Sequence, residues 1–156
     1  FFGWVGVFGT YCLHQLQSFT TDAVFIAGIS LTVMLPASSC GFFCVAVLNV
    51  NNIRDIESDK IAGKKSIPVR IGALKAKIYH WFLLTCGIGC TLIYIMINYK
   101  STSQFLFLIS IPLVLINGIS VWKKQPAELD PYLKQMAVAT LIFVVTFGIG
   151  ELIARF

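Results

Sequence analysis

Apolar residues run through this chain in long blocks, broken by a few short polar stretches. Long stretches without a charged side chain include 1–21, 23–49, 78–99, 101–122 and 135–150. A helix needs about 20 predominantly apolar residues to cross a bilayer. Four of the runs reach that length, and the last does so if its helix starts near Tyr132 and ends near Ile153. The pattern predicts an all-α polytopic membrane bundle of about five transmembrane helices, at about 1–16, 22–56, 73–98, 103–122 and 132–154, forming one domain over 1–156. Pro36 falls inside the second predicted helix and should kink it. The small residues of "PASSCG" beside it should let a neighbouring helix approach closely. Gly63, Pro68 and Gly72 should keep 60–72 from continuing a helix. In "KKQPAELDPY", Asp130 reads as an N-cap with Pro131 at the first helical position. No repeat of fixed period is visible.

Composition sharpens the membrane reading. The chain is 57% apolar and 12% charged, with mean hydropathy +0.82, whereas a soluble domain is roughly one quarter charged. The first residues lack the basic segment and small-residue cleavage site of a signal peptide. The chain opens inside an apolar span without an initiator Met, which suggests a fragment of a longer protein. All five cysteines lie in apolar runs; they read as small packing residues.

Charge then orients the bundle. Seven of the twelve Lys and Arg residues lie between Arg54 and Lys77, and Lys123, Lys124 and Lys134 follow after the fourth span. The other side would receive only Lys100 and Arg155. The positive-inside rule puts 54–77 and 123–134 in the cytoplasm, the N-terminal end inside and the C-terminus outside. This fits an integral protein of a bacterial inner membrane. No nucleic-acid partner is expected.

The strip "LNVNNIRDIESDKIAGKKSIPVRIG" carries the candidate chemistry. Asn51, Asp55 and Asp59 are spaced i, i+4, i+8, which stacks them on one face of a helix. Glu57 falls roughly 200° around the axis from Asp55 at about 100° per residue. Carboxylates four apart repel unless a cation sits between them. Oxygen ligands without His or thiolate suit a hard cation, and Mg²⁺ typically takes one or two carboxylates together with substrate phosphate oxygens. Asp55 and Asp59 are the expected ligands, with Asn51 as a third contact. Arg54, then Lys60, Lys64 and Lys65, are candidate contacts for a diphosphate. Without the acidic array the strip would read as an ordinary positive-inside loop; ionisable groups at a membrane edge are functional candidates.

The strip resembles the second aspartate-rich motif of the UbiA-type membrane prenyltransferases, D/N-x-x-x-D-x-x-x-D with a following Gly and Lys-Ser/Thr. Here these are Asn51, Asp55, Asp59, Gly63 and Lys65-Ser66. Asn at the first position, with "NNIRDIESD" and "VRIG", is most similar to the 1,4-dihydroxy-2-naphthoate polyprenyltransferases of menaquinone biosynthesis. The resemblance implies a nine-helix fold around a lipid-open cavity, of which this chain would supply the C-terminal part. It also implies Mg²⁺-dependent transfer of a prenyl chain from a polyprenyl diphosphate to an aromatic acceptor, 1,4-dihydroxy-2-naphthoate. The family's first motif, N-D-x-x-D-x-x-x-D, is not found in the chain. No residue is assigned to the acceptor.

Other readings compete. A related enzyme could use another acceptor, or the chain could be inactive without the missing helices. A cation transporter would place acids at mid-membrane in two related halves, and no second half is visible. Trp81 reads as an interfacial anchor, Asn117 as an interhelical hydrogen-bond partner, and Glu151 as an interfacial acid. His80 is open to a packing role or a substrate contact.

Overall fold

The computed structural model describes residues 1–18 and 30–156. The described residues are helical throughout, with no strand among them. A π-helical segment, Phe2–Phe8, leads into α1 (Gly9–Ser18). A 3₁₀ turn, Leu31–Val33, leads into α2 (Met34–Arg54). Two short helices follow, α3 (Ile56–Ile61) and α4 (Ile67–Ile71), and then α5 (Ala73–Ile97). The 3₁₀ segment Thr102–Ser110 runs into α6 (Ile111–Lys123). A turn at Pro126–Glu128 precedes α7 (Asp130–Ile153).

Four of these runs are long and apolar enough to span a bilayer: Leu31–Arg54, Ala73–Ile97, Thr102–Lys123 and Asp130–Ile153. Their outward faces are apolar. Ile93, Met96, Ile109, Ile116, Leu141 and Val145 are all exposed, as expected where the solvent is lipid rather than water. The protein is an integral membrane helical bundle.

The first predicted span is helical from Phe2, but its described part is shorter than the four spans and ends in the polar "HQLQS". The predicted start of the second helix at Asp22 lies outside the described residues. Its end comes at Arg54 instead of Ile56. Ser30 is extended, with φ −86° and ψ 111°. Pro36 therefore sits within the first turn of α2, and the interior kink expected there is not needed. The carbonyl that its missing N–H would have used, that of Thr32, lies in the 3₁₀ turn.

The core is aromatic. Phe43 of α2, Phe107 and Phe143 of α7 are fully or almost fully buried. Their rings meet edge-on, at centroid distances of 4.6 Å for Phe43–Phe143 and 5.9 Å for Phe107–Phe143. Small residues allow the helices to close around this cluster. A Cβ at Gly87 would lie 3.1 Å from the Phe43 ring, and one at Gly118 would lie 2.9 Å from Trp81. In "PASSCG" the small residues do admit a neighbour: Gly3 packs directly on the Ala37 carbonyl and on Gly41. Buried polar groups pair across helices, as they must in a low-dielectric interior. Thr91 donates to Ser39 Oγ at 2.9 Å, and Asn49 Nδ2 donates to the Ala76 carbonyl at 3.1 Å. Asn117 of α6 accepts through Oδ1 from His80 Nε2 at 3.1 Å, and its Nδ2 donates to the Tyr132 carbonyl at 2.7 Å and to Gln135 Oε1 at 3.1 Å. This bears out the interhelical reading of Asn117. It also gives His80, which is fully buried, a packing partner in place of a substrate-facing position.

At the far end of the bundle from the charged strip, Glu151 accepts from Gln104 at 2.8 Å and from Tyr94 at 3.4 Å. At the near end, Lys77 Nζ donates to the carbonyls of Trp122 and Lys124, at 3.0 and 2.9 Å. A cation there satisfies carbonyls left open at the C-terminus of α6.

Candidate functional site

The charged strip forms the end of α2, all of α3 and α4, and the turns between them. One residue interrupts the helix: Asp55, at φ −94° and ψ 12°. The interruption does not rotate the two pieces out of register. Asp55 N–H still donates to the Asn51 carbonyl at 3.0 Å, and Asp59 N–H to the Asp55 carbonyl at 2.8 Å. These are i to i−4 bonds, so Asn51, Asp55 and Asp59 stay in helical succession.

Helix α3 then stops in a Schellman arrangement. Gly63, at φ +71°, donates to the Lys60 carbonyl at 3.1 Å, and Lys64 N–H reaches the Asp59 carbonyl at 2.9 Å. Only glycine adopts that left-handed backbone at little cost. The reversal returns the Lys64 side chain to the acid that began it: Lys64 Nζ lies 3.1 Å from Asp59 Oδ1. Of the three residues expected to stop helices in this segment, Gly63 and Gly72 (φ +85°) do so. Pro68 instead sits in the first turn of α4, where a missing N–H costs nothing.

Burial separates the three acids of the strip. Asp59 is 7% exposed. The Glu57 side chain is 78% exposed and pairs with Lys60 at 3.1 Å. Asp55 is half-buried and is gripped by its neighbour: Arg54 Nε donates to Asp55 Oδ1 at 2.8 Å and Arg54 Nη2 to Asp55 Oδ2 at 2.9 Å. The same Nη2 donates to Asn51 Oδ1 at 2.9 Å. The hydrogen bonds and charge of this guanidinium hold the Asp55 carboxyl below the usual carboxylate range, against a smaller opposing effect of burial. In this arrangement the chain itself supplies a cation to each stacked acid, Arg54 to Asp55 and Lys64 to Asp59.

Arg54 makes one more bond. Its Nη1 donates to Asp130 Oδ1, at the start of α7, at 2.7 Å. Asp130 was expected to cap that helix, but its side chain makes no capping bond; its Oδ1 is bonded to Arg54, and Lys134 lies 3.9 Å from its Oδ2. Nothing in the local sequence around Asp130 points to a residue 76 positions earlier. Lys65 is exposed, with no ion pair to a described residue.

Three buried oxygens in the strip have no hydrogen-bond partner: Asn49 Oδ1, Asp59 Oδ2 and Ser66 Oγ. A buried carboxylate oxygen left unpaired is costly. It is the kind of atom a metal ion would satisfy. Among the described residues no three His, Cys, Asp or Glu side chains converge into a metal cage. A complete protein cage is not what Mg²⁺ requires, because it keeps waters and takes substrate phosphate oxygens. Two carboxylates and one amide oxygen on successive turns fit that donor demand.

A groove of about 390 Å³ runs beside α2, lined by Trp4, Ser38, Gly41, Phe42, Cys44 and Leu48 among others. Its walls are mainly apolar. Gly41, Cys44, Val45 and Leu48 lie on one face of α2, and a step of three or four residues from Leu48 reaches Asn51 and Asn52, then Asp55. The apolar groove and the acidic strip thus occupy the same side of the chain's course along α2, and Gly41 in the groove wall lies roughly 21 Å along the axis from Asp55 at 1.5 Å per residue.

Comparison with known proteins identifies the family. The model of the UbiA prenyltransferase family matches residues 1–141, and the chain belongs to that family. It is 39% identical to a 1,4-dihydroxy-2-naphthoate octaprenyltransferase of Haemophilus influenzae, over 98% of this chain and 46% of that protein. It is 32% identical to the protein of the same description from Escherichia coli, over 99% of this chain and 47% of that protein. The chain thus spans about half the length of the curated relatives it matches. No solved structure matches it.

Proposed function

We propose that this chain carries the diphosphate-handling part of an intramembrane aromatic prenyltransferase. The reaction is transfer of a polyprenyl chain from polyprenyl diphosphate to 1,4-dihydroxy-2-naphthoate, in menaquinone biosynthesis. The observation that carries the reading is the unpaired, buried Oδ2 of Asp59, one helical turn from Asp55 and on the strip that follows the apolar groove of α2. Family membership supports the reaction class, and the two relatives support the acceptor.

Asp55 and Asp59, with Asn51, would hold a divalent cation, and Mg²⁺ suits their oxygens. When bound it neutralises charge on the departing diphosphate. The remaining work falls to the chain. Arg54, Lys60, Lys64 and Lys65 supply N–H donors for the phosphate oxygens where charge develops as the C–O bond breaks. The apolar face of α2 holds the isoprenoid tail and keeps water from the allylic carbon until the aromatic ring attacks it. The strip lies on the cytoplasmic side of a bacterial inner membrane in this account, because 54–77 and 123–134 hold most of the Lys and Arg.

The test is transfer of a labelled polyprenyl chain to 1,4-dihydroxy-2-naphthoate by the full-length protein in membranes. Activity should vanish with a chelator and return with Mg²⁺. Transfer that is indifferent to chelation contradicts the metal assignment. Equal transfer to 4-hydroxybenzoate contradicts the acceptor assignment.

A further inference from the structure

Arg54 is the only described side chain that bonds both the acidic strip and the last helix. Its four bonds use three of its nitrogens. Nε and Nη2 face the strip, where they occupy Asn51 Oδ1 and both oxygens of Asp55. Nη1 faces away, to Asp130. A guanidinium is a rigid planar fork, so its two sides are held at a fixed angle to each other. Asp130 lies at the other end of a contact that spans 76 residues. Its side chain takes no part in capping α7.

A guanidinium that grips both Asp55 oxygens and a divalent cation are like charges, and they compete for that one carboxylate. We propose that Asp130 is a positioning residue: it holds Arg54 by Nη1, so that Arg54 releases Asp55 to a divalent cation without leaving the site. Asp55 and Asp130 share one positive charge, which makes neither bond exclusive. When Asp55 is taken by the cation, Nη1 stays on Asp130 while Nε and Nη2 become free donors. Those donors then lie beside the cation, where an anionic diphosphate would be bound. Without the Asp130 carboxylate, Arg54 has one anionic partner only. Its grip on both Asp55 oxygens is then no longer shared with a second anion, and it competes more strongly with the cation.

The inference rests on the metal reading given above. It can be read without turnover, from the binding of Mn²⁺ alone to the full-length protein in detergent, followed by the electron-spin signal of free Mn²⁺. Asp130→Asn should weaken Mn²⁺ binding about five- to tenfold, the low end of the usual range of a coupling between two sites. Glu128→Gln removes one negative charge from the same connection and should change it less than about twofold, because Glu128 is exposed and paired with Lys124. In an Arg54→Gln background, Asp130→Asn should lose its effect, since a residue acting through another shows it in a double-mutant cycle. Asp130→Ser, which keeps a residue suited to a helix start, replaces Asp130→Asn if that variant does not fold. Unchanged Mn²⁺ binding in Asp130→Asn, or equal weakening with and without Arg54, would overturn the proposal and leave the metal reading standing. No Mn²⁺ binding by the unaltered protein would remove the metal reading, and this proposal with it.

Discussion

Glu57 and Asp59 lie two residues apart on one short helix and face opposite surroundings. Glu57 reaches outward to Lys60, while Asp59 is buried with one oxygen on Lys64 and the other unpaired. The two acids carry the same charge and occupy nearly the same place in sequence. Helical geometry alone separates them, and the functional account depends on that separation.

The packing around Trp81 gives a first prediction. A Cβ at Gly118 would lie 2.9 Å from the Trp81 ring and 3.1 Å from Leu84. Gly118→Val should therefore destabilise the bundle by about 1–3 kcal/mol, the usual cost of overpacking. Thermal unfolding in detergent, followed by tryptophan fluorescence, measures it. Gly89→Val, where a Cβ meets nothing within 4 Å, should have a much smaller effect.

His80 and Asn117 give a second. His80 is fully buried and bonded to Asn117, which also holds α7 through Tyr132 and Gln135. Asn117→Leu would strip partners from several buried polar groups, at about 1–3 kcal/mol each. Both Asn117→Leu and His80→Leu should lower the unfolding temperature. Neither should change the kcat of transfer measured well below that temperature. A selective loss of kcat in His80→Leu, with stability retained, would instead make His80 a substrate contact.

Much of this was legible in the sequence. The order of the spans, the acidic face and the outward position of Glu57 follow from hydropathy and the 3.6-residue period, which are local properties. The partners of Arg54 and Lys77 were not legible. Arg54 reads as a free phosphate contact, because Asn51 and Asp55 are seen as ligands awaiting a metal. Its bond to Asp130, and the bonds from Lys77 to the end of α6, join residues far apart in the chain. Only the packing of α2 and α5 against later helices brings them together. The break at Asp55 was also not visible. It leaves the Asp55-to-Asn51 and Asp59-to-Asp55 backbone bonds intact and therefore keeps these three residues in helical succession.

Topology is a third prediction. Ala62 and Ala127 are exposed in the two Lys-rich connections, and Thr102 is exposed at the opposite end of the bundle. In intact cells, a membrane-impermeant maleimide should label Thr102→Cys but not Ala62→Cys or Ala127→Cys. The five native cysteines are all half-buried within the apolar helices, so they should contribute little background. Labelling of Ala62→Cys from outside would reverse the proposed orientation.

The central claim is that Asp55 and Asp59, but not Glu57, hold the cation that serves the departing diphosphate. The direct measurement is Mg²⁺-dependent transfer of a labelled polyprenyl chain to 1,4-dihydroxy-2-naphthoate, in membranes with matched amounts of full-length protein. Loss of a ligand to that cation should cost several kcal/mol of transition-state stabilisation, or on the order of a thousandfold in rate. Asp55→Ala and Asp59→Ala should each show that loss, and Glu57→Ala should stay within about twofold, as for an exposed ion pair. Glu57→Ala as inactive as Asp55→Ala, or Asp59→Ala with near-normal transfer, would contradict the account.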